Sequence, residues 1–552
     1  MNFLLNKTFL GMPSNWDLWL ILALSIVNVA LVILMSLRLL NMLQLGGYKI
    51  TNFFAWLKEN KFLELGRHVI IALLSCSVYA IANLLLNDFM VHRALKYVAL
   101  IFYFVLTCSY IISICSAPKK TPIVYTKRMI RLIVALGIIA FGTTFGMTYL
   151  TAMYSKYFVA GGVCIAPLLL VLFVAAAWCV TYPIEKLISN SYLAKAKDKL
   201  ARHPEIVVVG VTGSYGKTSV KNIIATLLAQ KYKVCVSPFS YNTPLGLART
   251  ILQDVTDDTQ VLVAEMGARH VGDIAELAQM VKPRVGVITG IANQHMATFG
   301  SMQAIINTKS ELTDFVTDQK GTMFFNLANT FVQQMYNSCK CEKYQAGLQQ
   351  DCLVVAKNIS CDKDGSQFTL TIEGKDYAKV RCALLGEHNV SNIVLAATVA
   401  LKMGVSAQQI LQGIASLQPT AHRLQLVPSS GVLIVIDDAY NGSEAGAKAA
   451  LDTLKFFKGG KVIITPGLVE LGKEQFNTNF ELGRLIASTC DWVIINGQVN
   501  YNALSSGCQF GKMDANHILK ADSLQQAVDM ISDITSQGDV VLFENDLPDN
   551  YV

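Results

Sequence analysis

Residues 212–219 read TGSYGKTS, and their types and spacing suit the binding of a phosphate. A valine-rich run precedes this segment and an amphipathic pattern follows it, which predicts a turn between a strand and a helix. Gly213 and Gly216 would let backbone N–H groups point at phosphate, Lys217 would reach the β- and γ-phosphates, and Thr218 would bind Mg²⁺. The segment therefore predicts a nucleotide-binding loop.

This loop departs from the Walker A pattern, because Val211 stands where that pattern has its first glycine. By itself it is also compatible with a plain strand-to-helix turn that carries an exposed lysine. Further stretches follow downstream in the order YNTPLGLARTI, AEMGARHVGDIAEL, VKPRVGVITGI, TKSEL, LLGEHNVSNIVLAATVA, HRLQ and IDDAYNGS. With these segments the chain resembles the Mur ligases, most closely the type that adds D-alanyl-D-alanine, over about residues 205–485.

The resemblance implies an ATP-dependent carboxylate–amine ligase with ATP and Mg²⁺ as its cofactors. In the family, a substrate carboxylate attacks the γ-phosphate to give an acyl phosphate, and an amine then displaces the phosphate to form an amide. Such phosphoryl transfer depends mainly on positioning and on neutralising charge. We therefore expect a site rich in cations and metal ligands.

The resemblance also implies the metal ligands. Glu265, at the end of the apolar run VLVAE, would share the first Mg²⁺ with Thr218. A charged residue at the carboxyl end of a strand lies where open α/β sheets bind ligands. His295 would bind a second Mg²⁺, for which Lys309 would supply a carboxylate-like group if it is carbamylated.

Residues of a following domain would complete the site. Asp438 would bind the ribose and Arg423 would approach the γ-phosphate, while Tyr440 and Asn441 would line the substrate side of the cleft. Two domains that meet on one nucleotide imply closure, which expels water from a hydrolysable acyl phosphate. The expected catalytic residues are Lys217, Glu265, His295, Lys309 and Arg423. The expected ATP-binding residues are Thr212, Gly213, Ser214, Tyr215, Gly216, Lys217, Thr218, Ser219, Asn326, Asn389, Asn392, Arg423 and Asp438, of which Asn389 and Asn392 match positions near the adenine.

The part of the chain that precedes these residues differs from the rest in charge and hydropathy. Residues 1–202 carry 19 Lys/Arg against 6 Asp/Glu, and the remainder carries 27 against 33. The whole chain is 53% hydrophobic with a mean hydropathy of +0.41, which is too apolar for an ordinary globular enzyme. A basic and apolar first part suits anionic lipid head groups better than nucleic acid, so no nucleic-acid partner is expected.

Five runs in the first part are long and apolar enough to span a membrane, about 20 residues each. They lie at roughly 18–37, 68–87, 97–115, 132–152 and 158–182. Lys and Arg number five, five and five in the loops after the first, third and fifth runs, against one, two and one on the other side. This bias predicts a multi-pass protein of the cell membrane with its N-terminus outside and its catalytic domains in the cytoplasm, at the anionic inner leaflet.

The first basic loop holds an amphipathic stretch, YKITNFFAWLKEN, with Ile50, Phe53, Phe54 and Leu57 on one helical face. This pattern is equally compatible with a helix lying on the membrane surface and with a helix packed against its own bundle.

The fold expected is an α-helical membrane domain followed by two α/β domains, a phosphate-loop central domain and a smaller Rossmann-like domain. Strand-like runs at 206–211, 260–265 and 284–289 alternate with helical stretches, as a mostly parallel sheet requires. A second set lies at 432–437, 461–465, 492–495 and 539–543. The predicted domains are 1–185 (membrane), 186–203 (basic tether), 204–418 (central) and 419–552 (C-terminal).

Three features depart from the family pattern. Membrane segments precede Ile206, where the soluble relatives have a domain for the UDP-sugar end of the substrate. The family's YNANP is YNGSE here, and FENDLPDNYV stands where the family has a KGSR segment near the incoming amino acid or dipeptide. We therefore expect a cell-wall precursor ligase that joins a carboxylate acceptor to an amino acid or dipeptide as the amine. The position of the membrane segments suggests an acceptor at the inner leaflet, and the sequence is compatible with a lipid-linked form as well as with a UDP-linked form.

Other functions remain compatible with the sequence. One is a synthetase of an envelope polymer of the poly-γ-glutamate type, and another is an amidating subunit of the same family. The amidating type carries a four-cysteine zinc ribbon, whereas Cys339, Cys341, Cys352 and Cys361 have a different spacing here. A function of another class is a transporter or scaffold with a degenerate nucleotide domain, but the apolar runs lack the buried charges of ion-coupled transport.

Overall fold

The computed structural model describes two compact units, Met1–Ser189 and Asn190–Val552. The residues described are 15–84, 89–116, 121–154, 163, 165–238, 240–293, 296–348, 352–362, 364–427, 433–440, 442–469 and 471–545.

The first unit is helical. Its long helices are α1 (Asn15–Leu45), α2 (Ile50–Leu84), α3 (Phe89–Ser116), α4 (Lys127–Tyr154) and α5 (Leu170–Ala201), the last of which continues beyond Ser189 through the predicted tether. Within the described residues, three segments are long and apolar enough to cross a membrane: Leu18–Leu45, Lys127–Leu150 and Ala166–Ala201. Leu100–Ser116 is a shorter apolar helix. Three of the five predicted spans thus meet both criteria, and the count of five stays a prediction.

The interior of this unit combines apolar packing with a small polar cluster. Val32, Met35 and Leu39 of α1 are buried in the shared apolar core, and α4 runs antiparallel to α1, with Gly137 close to Val29 and Ile33. Asn28 links three helices, because its Oδ1 accepts a hydrogen bond from the Tyr103 hydroxyl (2.6 Å) and its Nδ2 donates to Thr144 Oγ1 (3.3 Å). Polar contacts of this kind fix the relative positions of helices whose outer faces are apolar.

Segments predicted to share one side of the membrane contact one another at one end of the bundle. The Gln44 side chain exchanges two hydrogen bonds with the backbone of Val124, at 2.8 and 2.9 Å. Trp178 Nε1 donates to the Tyr48 carbonyl (2.8 Å), and Arg131 forms an ion pair with Glu185. The three basic segments therefore lie together.

From residue 50 onward, the amphipathic stretch of the first basic loop lies within the single helix α2. Phe53 and Leu57 are buried in the core of the unit, whereas Phe54 is exposed. This burial favours packing against the bundle over a separate helix on the membrane surface.

A six-stranded parallel sheet forms the middle of the second unit, in the order β2-β3-β1-β4-β5-β6. Its strands are β1 (Val207–Thr212), β2 (Val234–Val236), β3 (Val261–Glu265), β4 (Val285–Ile288), β5 (Thr322–Asn326) and β6 (Glu342–Ala346). The central strands are buried on both faces, which explains their continuous runs of valine and isoleucine. The three strands predicted here are confirmed to within two residues at each end.

Helices cover both faces of this sheet. They are α6 (Lys217–Leu228), α7 (Pro244–Asp254), α8 (Asp273–Val281), α9 (Met296–Phe299), α10 (Met302–Asp318), α11 (Thr330–Ser338), α12 (Glu387–Lys402) and α13 (Ala407–Ala415). An antiparallel sheet precedes α12 and was not predicted from the sequence. Its strands are β7 (Val354–Asp362), β8 (Gly365–Ile372) and β9 (Lys375–Cys382).

The last part of the unit is a second six-stranded sheet in the order β10-β11-β15-β12-β13-β14, parallel except for its first pair. Its strands are β10 (Gln425–Val427), β11 (Ile434–Asp438), β12 (Lys461–Thr465), β13 (Trp492–Asn496), β14 (Ile518–Ala521) and β15 (Val540–Glu544). Helices α14 (Glu444–Leu454), α15 (Gln475–Thr489), α16 (Tyr501–Phe510) and α17 (Leu524–Ile534) flank it. The expected smaller α/β domain is present.

Candidate active site

The phosphate loop joins the carboxyl end of β1 to the first turn of α6. Gly213 has a φ of +156° and Gly216, which caps α6, has a φ of +76°. A Cβ at Gly213 would lie 2.1 Å from Thr289 Oγ1, so a side chain does not fit there. Only glycine allows the loop both this backbone and this close approach to the segment after β4.

Contacts to the segment after β4 hold the loop in place. Ser214 donates from its backbone N–H to the Gly290 carbonyl (2.6 Å) and from its hydroxyl to the Ala292 carbonyl (3.1 Å). The Tyr215 hydroxyl accepts a hydrogen bond from Asn329 Nδ2 (3.3 Å). Thr212 Oγ1, at the end of β1, donates to the Met266 carbonyl (2.9 Å).

Lys217 folds back over its own loop. Its Nζ donates to the carbonyls of Gly213 (2.8 Å) and Ser214 (3.0 Å). Burial lowers the pKa of Lys217 to about 8; the carboxylate of Glu265 opposes this effect and the charge of Arg423 adds to it. A cation destabilised in this way gains from an anionic ligand such as a triphosphate.

Glu265 ends β3 directly beside the loop and is buried. Thr218 Oγ1 donates to its Oε2 (2.9 Å), and Asn242 Nδ2 donates to its Oε1 (2.9 Å). Lys221 Nζ lies 3.4 Å from Oε2. The structure thus brings the two expected ligands of the first Mg²⁺ into direct contact, and both offer the hard oxygen donors that this ion prefers.

Lys221 and Asn242 were not among the expected site residues. Lys221 lies three residues after Thr218, so one face of α6 carries both side chains. In the sequence, a lysine in an amphipathic helix resembles a solvent-facing residue. The one indication that Lys221 is buried is that this polar residue stands in an otherwise apolar face of the helix.

Lys309, on α10, is buried. Burial and, to a smaller extent, the charge of Lys217 lower its pKa to about 7, against the opposing effect of Asp273 and Glu311. An amine with this pKa is largely unprotonated slightly above neutral pH, and an unprotonated amine is the form that reacts with CO₂.

Three asparagines lie on the other side of the loop. Asn326 ends β5 and accepts hydrogen bonds from the Ala328 N–H (3.2 Å) and the Ser391 hydroxyl (3.4 Å). Asn389 and Asn392 lie in the first turns of α12 and contact each other, with 3.4 Å between Asn392 Nδ2 and Asn389 Oδ1. A Cβ at Gly216 would lie 3.5 Å from Asn392 Oδ1, which places Asn392 against the loop.

The second sheet contributes Arg423, Asp438 and Tyr440. The Arg423 guanidinium lies 4.5 Å from the centre of the Tyr440 ring, and the Tyr440 hydroxyl donates to Ser240 Oγ (2.8 Å) across the two domains. Asp438 Oδ1 accepts from the Leu424 N–H (3.0 Å), and burial raises the pKa of Asp438 to about 7.

A cavity lies where the two domains meet. Its lining includes Ser219, Asn222, Asn389, Leu417, Thr420 and Arg423. It therefore combines the first turn of the phosphate-loop helix, the asparagine expected near adenine and the arginine expected near the γ-phosphate.

Two expected site residues, His295 and Asn441, lie outside the described residues. Among the four cysteines compared with a zinc ribbon, Cys339 and Cys341 have their Sγ atoms 3.5 Å apart, whereas Cys361 contacts Ser366. Within the described ranges no three His, Cys, Asp or Glu side chains come together as a metal site. The four cysteines therefore do not form a zinc ribbon there.

Known proteins share this arrangement. The family model described as Mur ligase middle domain matches residues 211–400, and that described as Mur ligase, glutamate ligase domain, matches residues 422–544. The chain is 30% identical over 342 residues to the UDP-N-acetylmuramoyl-tripeptide–D-alanyl-D-alanine ligase of Bacillus subtilis (strain 168), which covers 61% of this chain and 72% of that protein. It is 32% identical over 288 residues to the ligase of the same name from Mycobacterium bovis, covering 51% of this chain and 56% of that protein.

Among solved structures, MurF from Acinetobacter baumannii superposes with a TM-score of 0.58 at 25% identity. The match covers 65% of this chain and 77% of that one. The chain thus spans between about half and three quarters of the length of these relatives.

Proposed function

This chain belongs to the Mur ligase family, whose members are ATP-dependent ligases that form amide bonds, and from this premise we propose that it is a membrane-anchored ligase of cell-wall precursor synthesis. The observation that carries the proposal is the contact of Thr218 with Glu265 directly behind a phosphate loop whose lysine is in place. A degenerate nucleotide domain in a transporter or scaffold would have no need to keep this arrangement.

The proposed reaction has two steps. An oxygen of the acceptor carboxylate attacks the γ-phosphorus of ATP, a C(O)O–P bond forms, and the bond between that phosphorus and the β–γ bridging oxygen breaks to release ADP. The amine then attacks the acyl carbon, the C–O bond to the phosphate breaks, and the amine loses a proton as inorganic phosphate leaves.

In the first step this chain's residues bind and orient the triphosphate. Lys217 would exchange the carbonyls of Gly213 and Ser214 for phosphate oxygens, and Thr218 and Glu265 would hold Mg²⁺, for which their oxygens are suited. When bound, Mg²⁺ neutralises part of the charge on the transferred group. A second ion would be held by His295 and Lys309, the latter as its carbamate.

The C-terminal domain would complete the site by closing on the nucleotide. Asp438 would bind the ribose, Arg423 would reach the γ-phosphate, and Asn389 and Asn392 would lie near the adenine. In the structure the Arg423 guanidinium lies over the Tyr440 ring, and its charge lowers the pKa of Lys217 in the phosphate loop. Its movement on closure would exclude water from the acyl phosphate.

The substrates are proposed from the names of the relatives, a muramoyl-tripeptide acceptor and a D-alanyl-D-alanine amine. One feature of the structure favours a change at the amine end. Glu544 ends β15 where the family has its basic segment, and it is buried and hydrogen-bonded by Thr465 Oγ1 (2.6 Å). Burial raises the pKa of Glu544 to about 8. The described residues of this segment, 540–545, thus carry no basic side chain that would pair with a substrate carboxylate, which favours an amine donor without a free carboxylate.

Membrane anchoring is supported by the surface of the first unit. Large apolar side chains point away from its core, among them Trp19 (69% exposed), Ile138 (68%) and Leu172 (61%). Such a surface is unfavourable in water and suited to lipid. The clustering of the three basic segments at one end fits an inner-leaflet position, with the N-terminus outside and the ligase domains in the cytoplasm.

Replacing Lys217 tests the ligase proposal. We expect the purified full chain to turn over ADP continuously only when acceptor and amine are both present, with the acceptor alone giving at most about one ADP per enzyme, and we expect Lys217→Ala to lower the continuous rate by roughly 100-fold or more, because one positioned charge contributes that much to transition-state stabilisation. Lys231→Ala is the matched control, since Lys231 is an exposed lysine that binds the Gly404 carbonyl. Equal rates in wild type and Lys217→Ala would contradict the proposal.

Carbamylation of Lys309 can be observed directly. Because burial holds the pKa of Lys309 at about 7, raising the pH above 7 frees the amine and we expect more carbamate. Protein equilibrated with ¹³C-bicarbonate at pH 8 should show a carbamate carbon signal by NMR that is absent from Lys309→Ala and weaker at pH 6. A spectrum identical for wild type and Lys309→Ala would refute this assignment.

The lipid-linked acceptor is tested by comparing two forms of one substrate. With the full chain in vesicles, we expect kcat/KM to be at least tenfold higher for a lipid-linked muramoyl-tripeptide than for the UDP-linked form, since the membrane concentrates the former near the enzyme. Comparable values for the two forms would argue against an acceptor presented by the membrane.

A further inference from the structure

Lys221 is a wholly buried lysine in the phosphate-loop helix α6. Its Nζ donates to the Ser237 carbonyl (2.7 Å) and lies 3.4 Å from Glu265 Oε2. Removing an ammonium from water costs several kcal/mol unless close partners compensate it. A charge retained at this depth is therefore expected to have a function beyond stability.

The partners of Lys221 converge on Glu265 from a second direction. The Ser237 hydroxyl accepts a hydrogen bond from the backbone N–H of Glu265 (3.3 Å), while the Ser237 carbonyl holds Lys221. Helix α6, the segment after β2 and the end of β3 thus meet at this carboxylate.

The opposite oxygen of Glu265 is held separately by Asn242. Its Nδ2 lies 2.9 Å from Oε1, and a Cβ at Gly267 would lie 2.7 Å from Asn242 Cγ. Glycine at 267 therefore makes room for the Asn242 amide. Each oxygen of Glu265 has a donor of its own, from different elements.

We propose that Lys221 is a positioning residue that, together with Asn242, holds Glu265 so that its Oε2 stays beside the Thr218 hydroxyl and the Mg²⁺–nucleotide site is assembled before the nucleotide binds. The inference rests on the proposed function in taking Thr218 and Glu265 as the Mg²⁺ ligands. Without Lys221, the carboxylate would lose the charge that draws Oε2 towards α6 and would adopt other rotamers.

A purely structural lysine would behave differently. It would tie α6 to the segment after β2, and its loss would lower the stability of the protein without changing how Mg²⁺ strengthens nucleotide binding. The ratio of ADP affinities with and without Mg²⁺ therefore distinguishes the two roles, and it requires no turnover.

The test uses the full chain and calorimetric titration with ADP, in Mg²⁺ and in EDTA. We expect Lys221→Met to lower the Mg²⁺-dependent gain in affinity by about 10- to 100-fold, as is common when a residue supporting a metal ligand is lost. The affinity in EDTA should stay within about twofold. Ile224→Ala is the matched control, because Ile224 is a buried residue of the same helix that packs in the apolar core. It should lower the melting temperature and leave the ratio unchanged.

If Lys221→Met does not fold, Asn242→Ala serves as the second test. Asn242 is only half-buried, so its replacement should be tolerated, and its loss frees the other oxygen of Glu265. It should lower the same ratio. Variants that fold and keep the wild-type ratio would overturn this inference alone. A wild-type protein whose ADP affinity does not respond to Mg²⁺ would overturn the proposed function together with it.

Discussion

The hydrogen bond between Thr218 and Glu265 is the contact on which the site depends, because it joins the helix of the phosphate loop to the neighbouring strand. Two lysines lie near the buried Glu265 carboxylate, and a third lies near one of them. Lys221 lies against the carboxylate, Lys217 folds over the loop, and Lys309 is buried near enough for Lys217 to lower its pKa. Burial lowers the pKa of all three amines, and the charge of Lys217 also lowers that of Lys309, whereas Glu265 opposes the shift at Lys217 and Lys221. A triphosphate with Mg²⁺ would supply the missing negative charge, so the site is organised for this ligand.

The contacts between the two α/β domains connect this charge arrangement to the substrate. Tyr440 binds Ser240 of the central domain while Arg423 lies over its ring, so one side chain makes both a domain contact and a contact with the arginine proposed for the γ-phosphate. Nucleotide binding would attract Arg423 away from Tyr440. Closure and charge neutralisation would then be one event, which suits a reaction whose acyl phosphate must be kept from water.

The site residues were expected from the resemblance to the Mur ligases, and their roles stay predictions; the meeting of two of them could also be expected because parallel strands end at one edge of their sheet. The apolar runs before Thr212 and Glu265 are neighbouring strands, and their ends meet as expected. Lys221 and Asn242 could not be found this way, since a lysine in an amphipathic helix and an asparagine in a loop have no distinctive pattern. The three-stranded sheet of 354–382 was missed because its alternating strands carry no site residue. In the first unit, hydropathy located the helices, but within the described residues three of the five predicted spans meet the criteria for length and apolarity.

The central claim is that the acceptor carboxylate is activated by transfer of the γ-phosphoryl group. It is tested most directly with a muramoyl-tripeptide acceptor labelled with ¹⁸O in its terminal carboxylate, incubated with ATP, the amine and the full chain. The oxygen that attacks phosphorus leaves with it in the second step, so the account predicts one ¹⁸O in each phosphate released. Amide formation that yields phosphate without ¹⁸O would contradict it.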